Sequence, residues 1–293
     1  MNLEERTTKV AVIVQARLGS VRFPQKVLAP LGGHPALELL LERAGRAQLV
    51  DGIVLAIPDL DRDDPLERLA ERLGIRCVRG SETDVLSRYV AAAKAVGANV
   101  IVRITGDCPL IDPAVIDRVI TPVLEGAADW SSTGETFPDG LDVQVATAAA
   151  LQRAADEASE PFDREHVFPW ILRNAGFRGA TTEHRRDLGA MRVTLDEAKD
   201  LDVLRAVVEA LEEDLVDIES LGRLWDAQPE LFVANNDLAR NEGSTMRTGQ
   251  KLWRHALDRI PGGSMLLSKR AEMLLPGGWP AYFDRASGCE GWD

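Results

Sequence analysis

Only three cysteines, Cys77, Cys108 and Cys289, occur in the 293 residues, and no two stand in a CxxC spacing. A number this small and odd speaks against a disulfide framework and a cysteine zinc site, and it fits a reducing, cytoplasmic setting. Basic residues are also in deficit: 34 lysines and arginines face 47 aspartates and glutamates, for a formal net charge of −13. Such a surface has no general attraction for nucleic acid or anionic membranes, so any polyanionic ligand needs a local basic pocket. No apolar run approaches the ~20 residues of a membrane span. The opening MNLEERTTK is charged and polar, unlike a signal peptide. Internal repeats and low-complexity tracts are lacking too.

What is present is an alternation of strand-like and helix-like segments. KVAVIVQ (9–15), GIVLAIP (52–58), IRCVRG (75–80) and NVIVRIT (99–105) are short aliphatic runs with the β-branched enrichment of buried strands. Between them, residues 35–48, 65–73, 84–97 and 113–125 carry helical spacing, with Pro35 at a helix start and an irregularity at Pro122. Strands apolar on both faces and separated by helices predict an α/β, Rossmann-like, mostly parallel sheet with helices on both faces. Beyond residue 126, DGLDVQVATAAALQRAADEA reads as a strand entering a helix, and PFDREHVFPWILRN reads as a second helix interrupted at Pro169. AMRVTL reads as a strand that turns at Asp196 into a long acidic helix. Ligands of such sheets bind beyond the carboxyl ends of the strands, which directs attention to the loops there.

The loop after the first strand, QARLGSVRFPQK (15–26), gathers Arg17, Arg22 and Lys26 around Gly19, Ser20 and Pro24. Gly19 and Ser20 permit a tight turn whose amides can face an anion, and the three cations can bond phosphate oxygens. The loop is neither a GxxxxGK[ST] phosphate loop nor a GxGxxG dinucleotide turn. By residue type alone, phosphate binding and surface solubility are equally good readings. In ITGDCPLIDP (104–113), Asp107 follows a strand, where a carboxylate can hold a hard cation such as Mg²⁺ or simply make a turn. Asp112, before Pro113, reads as a helix cap. Asp196 repeats the layout of Asp107; alone it reads as a cap, but two such aspartates and a basic loop form a constellation. FPDGLDV offers Asp139 and Asp142, and DREHV offers His166, as acceptor contacts or as ordinary turn and structural residues.

Together these segments resemble the cytidylyltransferases that make CMP-activated sugars. The nearest resemblance is to the SpsF-like branch, with CMP-KDO and CMP-sialic acid synthetases further off. It runs from VIVQARLGSVRFPQK through GSETDVLSRY, RITGDCPLIDP, PDGLDVQV, REHVFPWI and RVTLDEAKDLDVLRAV to about residue 245. The resemblance implies that Arg17 and Lys26 grip a nucleoside triphosphate, assisted by Arg22. It places Ser81, Asp84 and Arg88 near the nucleotide, and it makes Asp107 and Asp196 the ligands of Mg²⁺. Thr105-Gly106-Asp107 replaces the Gln-Gly-Asp of the better-known enzymes, which leaves recognition of the base open.

The expected reaction condenses CTP with a sugar or sugar-acid acceptor, giving a CMP conjugate and pyrophosphate. The alternatives are use of another triphosphate, a nucleotide-sugar glycosyltransferase, or a non-catalytic nucleotide-binding scaffold. The expected organisation is a cytidylyltransferase domain over 1–234 and a polar linker over 235–250. Residues 251–293 resemble the start of a class III aminotransferase of the glutamate-1-semialdehyde aminomutase type, without its pyridoxal phosphate lysine. That tail suggests a truncated fusion, and the expected assembly is a homo-oligomer or a fusion with an aminotransferase domain.

Overall fold

A computed structural model describes residues 8–20, 22–212, 215–236 and 238, and the backbone of a short hairpin at 285–287 and 290–292. The chain divides into two compact units, Met1–Leu238 and Ala239–Asp293. In the second, β10 (Arg285–Ser287) pairs antiparallel with β11 (Glu290–Trp292). The expected aminotransferase-like segment otherwise lies outside the described residues, as does most of the expected linker. The linker's first residue, Asn235, instead belongs to the first unit, where it is buried and its amide donates to Asp200 at 2.9 Å.

The aliphatic runs build the centre of the first unit. β1 (Val10–Gln15), β4 (Gly52–Pro58), β5 (Arg76–Gly80) and β6 (Val100–Thr105) are parallel, in the order β5-β4-β1-β6. Between β1 and β4 in the chain, β2 (Pro30–Leu31) and β3 (His34–Pro35) form a separate antiparallel pair. β8 (Gln144–Thr147) joins β6 antiparallel, and β7 (Trp130–Thr133) and β9 (Gly179–Thr182) complete a seven-stranded sheet. Alternation along β1 divides the core. Val10, Val12 and Val14 face one apolar layer with α1 (Ala36–Ala44), α2 (Asp64–Arg72), α4 (Pro113–Leu124), α8 (Ala198–Leu211) and α9 (Ile218–Ala227). Ile13 faces the other, with α3 (Val85–Val96), α5 (Ala148–Glu157) and α7 (Pro169–Arg173), and α6 (Pro161–His166) lies beside α3. Each fully buried aliphatic side chain contributes about 1.5–3 kcal/mol, and both layers supply many.

The helix starts follow local chemistry. Asp84 caps α3 by accepting from Ser87 N at 3.0 Å, and Asp112 caps α4 by accepting from Ala114 N at 2.8 Å. Pro35 precedes α1 as its N-cap, and the helix stops at Ala44 rather than running to 48. The expected break at Pro169 is a separation into α6 and α7, with Val167 at φ 69 between them.

The strand expected at 191–195 does not join the sheet. Its backbone is anchored to loops instead: Asp139 N donates to Met191 O, Val193 N to Asp139 O, and Leu195 N to Asp107 O. A single parallel bridge, Asp139 to Arg192, is all the ladder it makes. Arg192 fixes this segment from inside. It donates to Asp139 at 2.6 Å and to both carboxylate oxygens of Asp200 at 2.9 Å. Asp200 Oδ2 in turn accepts from the backbone amides of Asp196 and Glu197.

Burial alone would raise the Asp200 pKa, but Arg192, Asn235 and the two amides outweigh it and hold it below the ordinary carboxylate value. The resulting stabilisation is complete above the ordinary carboxylate pKa and is lost as pH falls through the lowered folded value. Breaking a buried pair on one side leaves a charge uncompensated, so Asp200→Asn should cost about 3–5 kcal/mol at pH 7. Denaturant unfolding across pH checks this: the deficit against wild type should shrink in the acid range, and a pH-independent deficit contradicts the assignment.

Candidate active site

The chain runs from β1 to β4 and β5 on one side, then returns to place β6 on the other side of β1. The carboxyl ends of β1 and β6 therefore flank a topological switch point, where open α/β sheets bind ligands. The loop of residues 16–25 leaves β1 there. Leu18 N donates to the buried Asp63 carboxylate at 2.7 Å, and Gln25 N closes the loop onto Leu18 O at 3.3 Å. Gln25 takes a left-handed conformation, φ 57, which turns the chain into a short 3-10 helix over Lys26–Leu28. Val27 is buried, and Phe23 and Leu28 pack against the core, so Lys26 is carried by an anchored turn.

Lys26 reaches across the switch point. Its Nζ lies 3.0 Å from Asp107 Oδ2 and 2.5 Å from Asp196 Oδ1, so one ammonium joins the two aspartates. Burial works against the charge on Lys26, but the two carboxylates overcome it and raise its pKa. Asp107 is likewise desolvated, yet Lys26 and the Thr105 hydroxyl hold it well below the usual carboxylate range. Arg22 takes the other side of Asp196, Oδ2, at 3.2 Å and lies 3.6 Å from Glu197. Arg17 is more open, 45% exposed, and stands 4.0 Å from both Glu82 and Glu165. Gly19 and Ser20 are half-buried in the same loop, with the Arg62 guanidinium close against Gly19.

Residues 81–84, after β5, form a second wall. Ser81 Oγ accepts from Asp84 N at 3.0 Å, and Asp84 Oδ2 accepts from Arg164 of α6 at 2.7 and 3.0 Å. Arg88 is buried, and its guanidinium donates to the carbonyls of Ser81 and Glu82; burial lowers its pKa. Its contacts support the loop from behind. Glu82 also pairs with Arg62, which joins this wall to the segment after β4.

The acceptor candidates separate. Asp139 is buried, and its carboxylate is committed to Arg192, so it holds the 137–143 turn to the 191–196 segment. Asp142 is half-buried and accepts from Gly140 N at 3.1 Å. Burial first, and then the charges of Asp107, Asp142 and Asp139, push the buried Cys108 thiol up. His166 stacks obliquely on Phe162 at 4.5 Å and is held below its ordinary pKa by burial, with the Arg103 and Arg17 charges adding to the effect. Five residues the sequence reading did not single out border this region: Gln15, Glu82, Arg103, Arg164 and Glu165. Arg103 donates to Gln144 at 2.7 Å, whereas Arg103 Nε, Arg88 Nε and Gln15 Oε1 are buried without a hydrogen-bond partner. A charged residue inside the apolar run VIVRIT was the available signal for Arg103.

Residues 11–238 match the cytidylyltransferase family. An uncharacterized protein of Methanocaldococcus jannaschii is 35% identical over 234 residues, covering 78% of this chain and 96% of that protein. The spore coat polysaccharide biosynthesis protein SpsF of Bacillus subtilis is 32% identical, covering 68% of this chain and 86% of SpsF. Among solved structures, a cytidylyltransferase from Leptospira borgpetersenii superposes with a TM-score of 0.73 at 28% identity, covering 82% of this chain and 99% of that one. The chain belongs to the cytidylyltransferase family, whose members transfer a cytidylyl group from CTP.

Gly106 sets how closely the two loops approach. Its N–H donates to Gln15 O at 2.8 Å, and a Cβ placed on it would lie 2.9 Å from that same carbonyl oxygen. Gly106→Ala must push Asp107 away from the first loop. Misplacement of this kind costs up to about a hundredfold in rate, expected here as slower pyrophosphate release from CTP; an unchanged rate contradicts the close fit.

Proposed function

We propose that the protein condenses CTP with a sugar or sugar-acid acceptor to give a CMP conjugate and pyrophosphate. The observation that carries this reading is the meeting of Lys26, Asp107 and Asp196 at the switch point, from three distant parts of the chain. Arg17 and Lys26 grip the triphosphate and Arg22 assists them, while Gly19 and Ser20 let the loop approach the phosphates. Ser81 and Asp84 bound the nucleotide side, with Arg88 holding that loop in place. Asp142 and His166 serve the acceptor side, and Asp139 positions the turn that carries Asp142. The spore coat polysaccharide role in the name of the SpsF relative supports a sugar-type acceptor.

Asp107 and Asp196 would hold Mg²⁺. Their donor set fits: both offer hard carboxylate oxygens, and Asp107 is held ionised. Among the described residues no three His, Cys, Asp or Glu side chains gather to hold a metal ion alone. Mg²⁺ takes one or two protein carboxylates and completes its shell with water and phosphate. When bound, it would supply charge neutralisation on the phosphates.

In the proposed reaction an acceptor oxygen attacks the α-phosphorus, a new P–O bond forms, and the bond to the bridging oxygen breaks to release pyrophosphate. The chain's part is positioning and electrostatics: Arg17, Arg22 and Lys26 absorb charge that builds on the leaving phosphates. A nucleotide panel against sugars and sugar acids, read as pyrophosphate release and product mass, tests the assignment. CTP should be preferred and chelation by EDTA should abolish turnover; preference for another triphosphate or a nucleotide sugar overturns it. Arg17→Ala and Lys26→Ala should each lower turnover by about 10²–10³, and near-normal turnover in both would make the loop a solubility feature.

A further inference from the structure

Every cation of the first loop is already matched by a carboxylate of the protein. Arg17 stands between Glu82 and Glu165, Arg22 between Asp196 and Glu197, and Lys26 between Asp107 and Asp196. The Lys26 contact differs from the others. It is close on both sides, its side chain is only 12% exposed, and it engages together the two carboxylates assigned to the metal. An ammonium this near both oxygens occupies the electrostatic position that a divalent ion needs, and two cations at contact range repel strongly in a partly desolvated crevice. The same ammonium is the group assigned to phosphate.

We propose that Lys26 is an internal counter-cation that keeps divalent metal off Asp107 and Asp196 until nucleotide phosphate draws it away. The inference rests on the reading of those aspartates as metal ligands. In the free protein the ammonium neutralises both carboxylates and stabilises three loop segments. When triphosphate arrives, Lys26 exchanges carboxylate oxygens for phosphate oxygens, and the released carboxylates take the metal. Metal and nucleotide then bind with positive coupling, and the coupling acts equally in both directions. No covalent bond changes in this exchange. Arg22 lies against Asp196 Oδ2, whereas Lys26 bonds both aspartates at once.

Mn²⁺ binding to the whole chain without nucleotide, followed by the electron paramagnetic resonance of free Mn²⁺, is the test. Lys26→Met and Lys26→Gln should each bind Mn²⁺ about tenfold or more tighter than wild type, and adding Asp107→Asn to either should abolish the gain. Mn²⁺ should also raise the unfolding temperature of Lys26→Met more than that of wild type, a readout independent of catalysis. Arg185→Gln, which removes an exposed cation paired with Glu219, controls for net charge. A gain there equal to that of the Lys26 variants overturns the proposal. Equal Mn²⁺ affinity in wild type and both Lys26 variants, with Asp107→Asn still weakening it, overturns the counter-cation while leaving the metal ligands standing. If Asp107→Asn changes Mn²⁺ binding in no background, the ligand assignment and the counter-cation both fail.

Discussion

A single ammonium, on Lys26, ties the loop after β1 to Asp107 after β6 and to Asp196 before α8. These stretches lie 81 and 170 residues from Lys26 in sequence; backbone bonds from Gly106 to Gln15 and from Leu195 to Asp107 hold the loops side by side, and the ammonium joins their side chains. The acidic surplus of the chain makes the contact necessary as well as favourable. Two carboxylates converging at the end of a sheet repel one another and lose hydration, and a cation between them offsets both costs. The crevice is therefore built to hold positive charge between Asp107 and Asp196. Lys26 provides it in the free protein, and the proposed chemistry requires it during turnover.

That arrangement depends on a rigid mount for Asp196. The 191–196 segment has no sheet ladder to hold it, so buried polar contacts take over. Arg192 clamps Asp139 on one side and Asp200 on the other, Asp200 receives the amides of Asp196 and Glu197, and Asn235 closes the set. Buried charge is costly unless its bonds are satisfied, which explains why so many partners converge on one carboxylate. Asp139 thus acts through position: it ties the 137–143 turn to the segment that carries Asp196.

The parallel half of the sheet was legible because its strands are aliphatic runs ended by polar loops. GIVLAIP matches β4 residue for residue, and β1 and β6 differ from expectation by one residue at the start. β7 and β9 were not legible, since WSST and GATT carry no hydrophobic alternation and owe their extension to neighbouring strands. MRVTL misled for the opposite reason: its residues favour a strand, yet loop carbonyls and amides capture its hydrogen bonds. For the crevice, the basic loop and the two aspartates could be named from the sequence, but their meeting point could not. Glu82, Arg164 and Glu165 look like solvated surface charges in one dimension. Only the close approach of α6 and the 81–84 loop to Arg17 and Asp84 makes them part of the site.

In the proposed exchange one lysine serves the carboxylates and the phosphates in turn. The most direct measurement is a crystal structure of the protein with CTP and Mg²⁺ bound, compared at Lys26 with the free protein. Nζ should leave Asp107 and Asp196 for a phosphate oxygen while both carboxylates turn to the metal. If Lys26 still bridges the two aspartates beside a fully ordered triphosphate, the claim is contradicted.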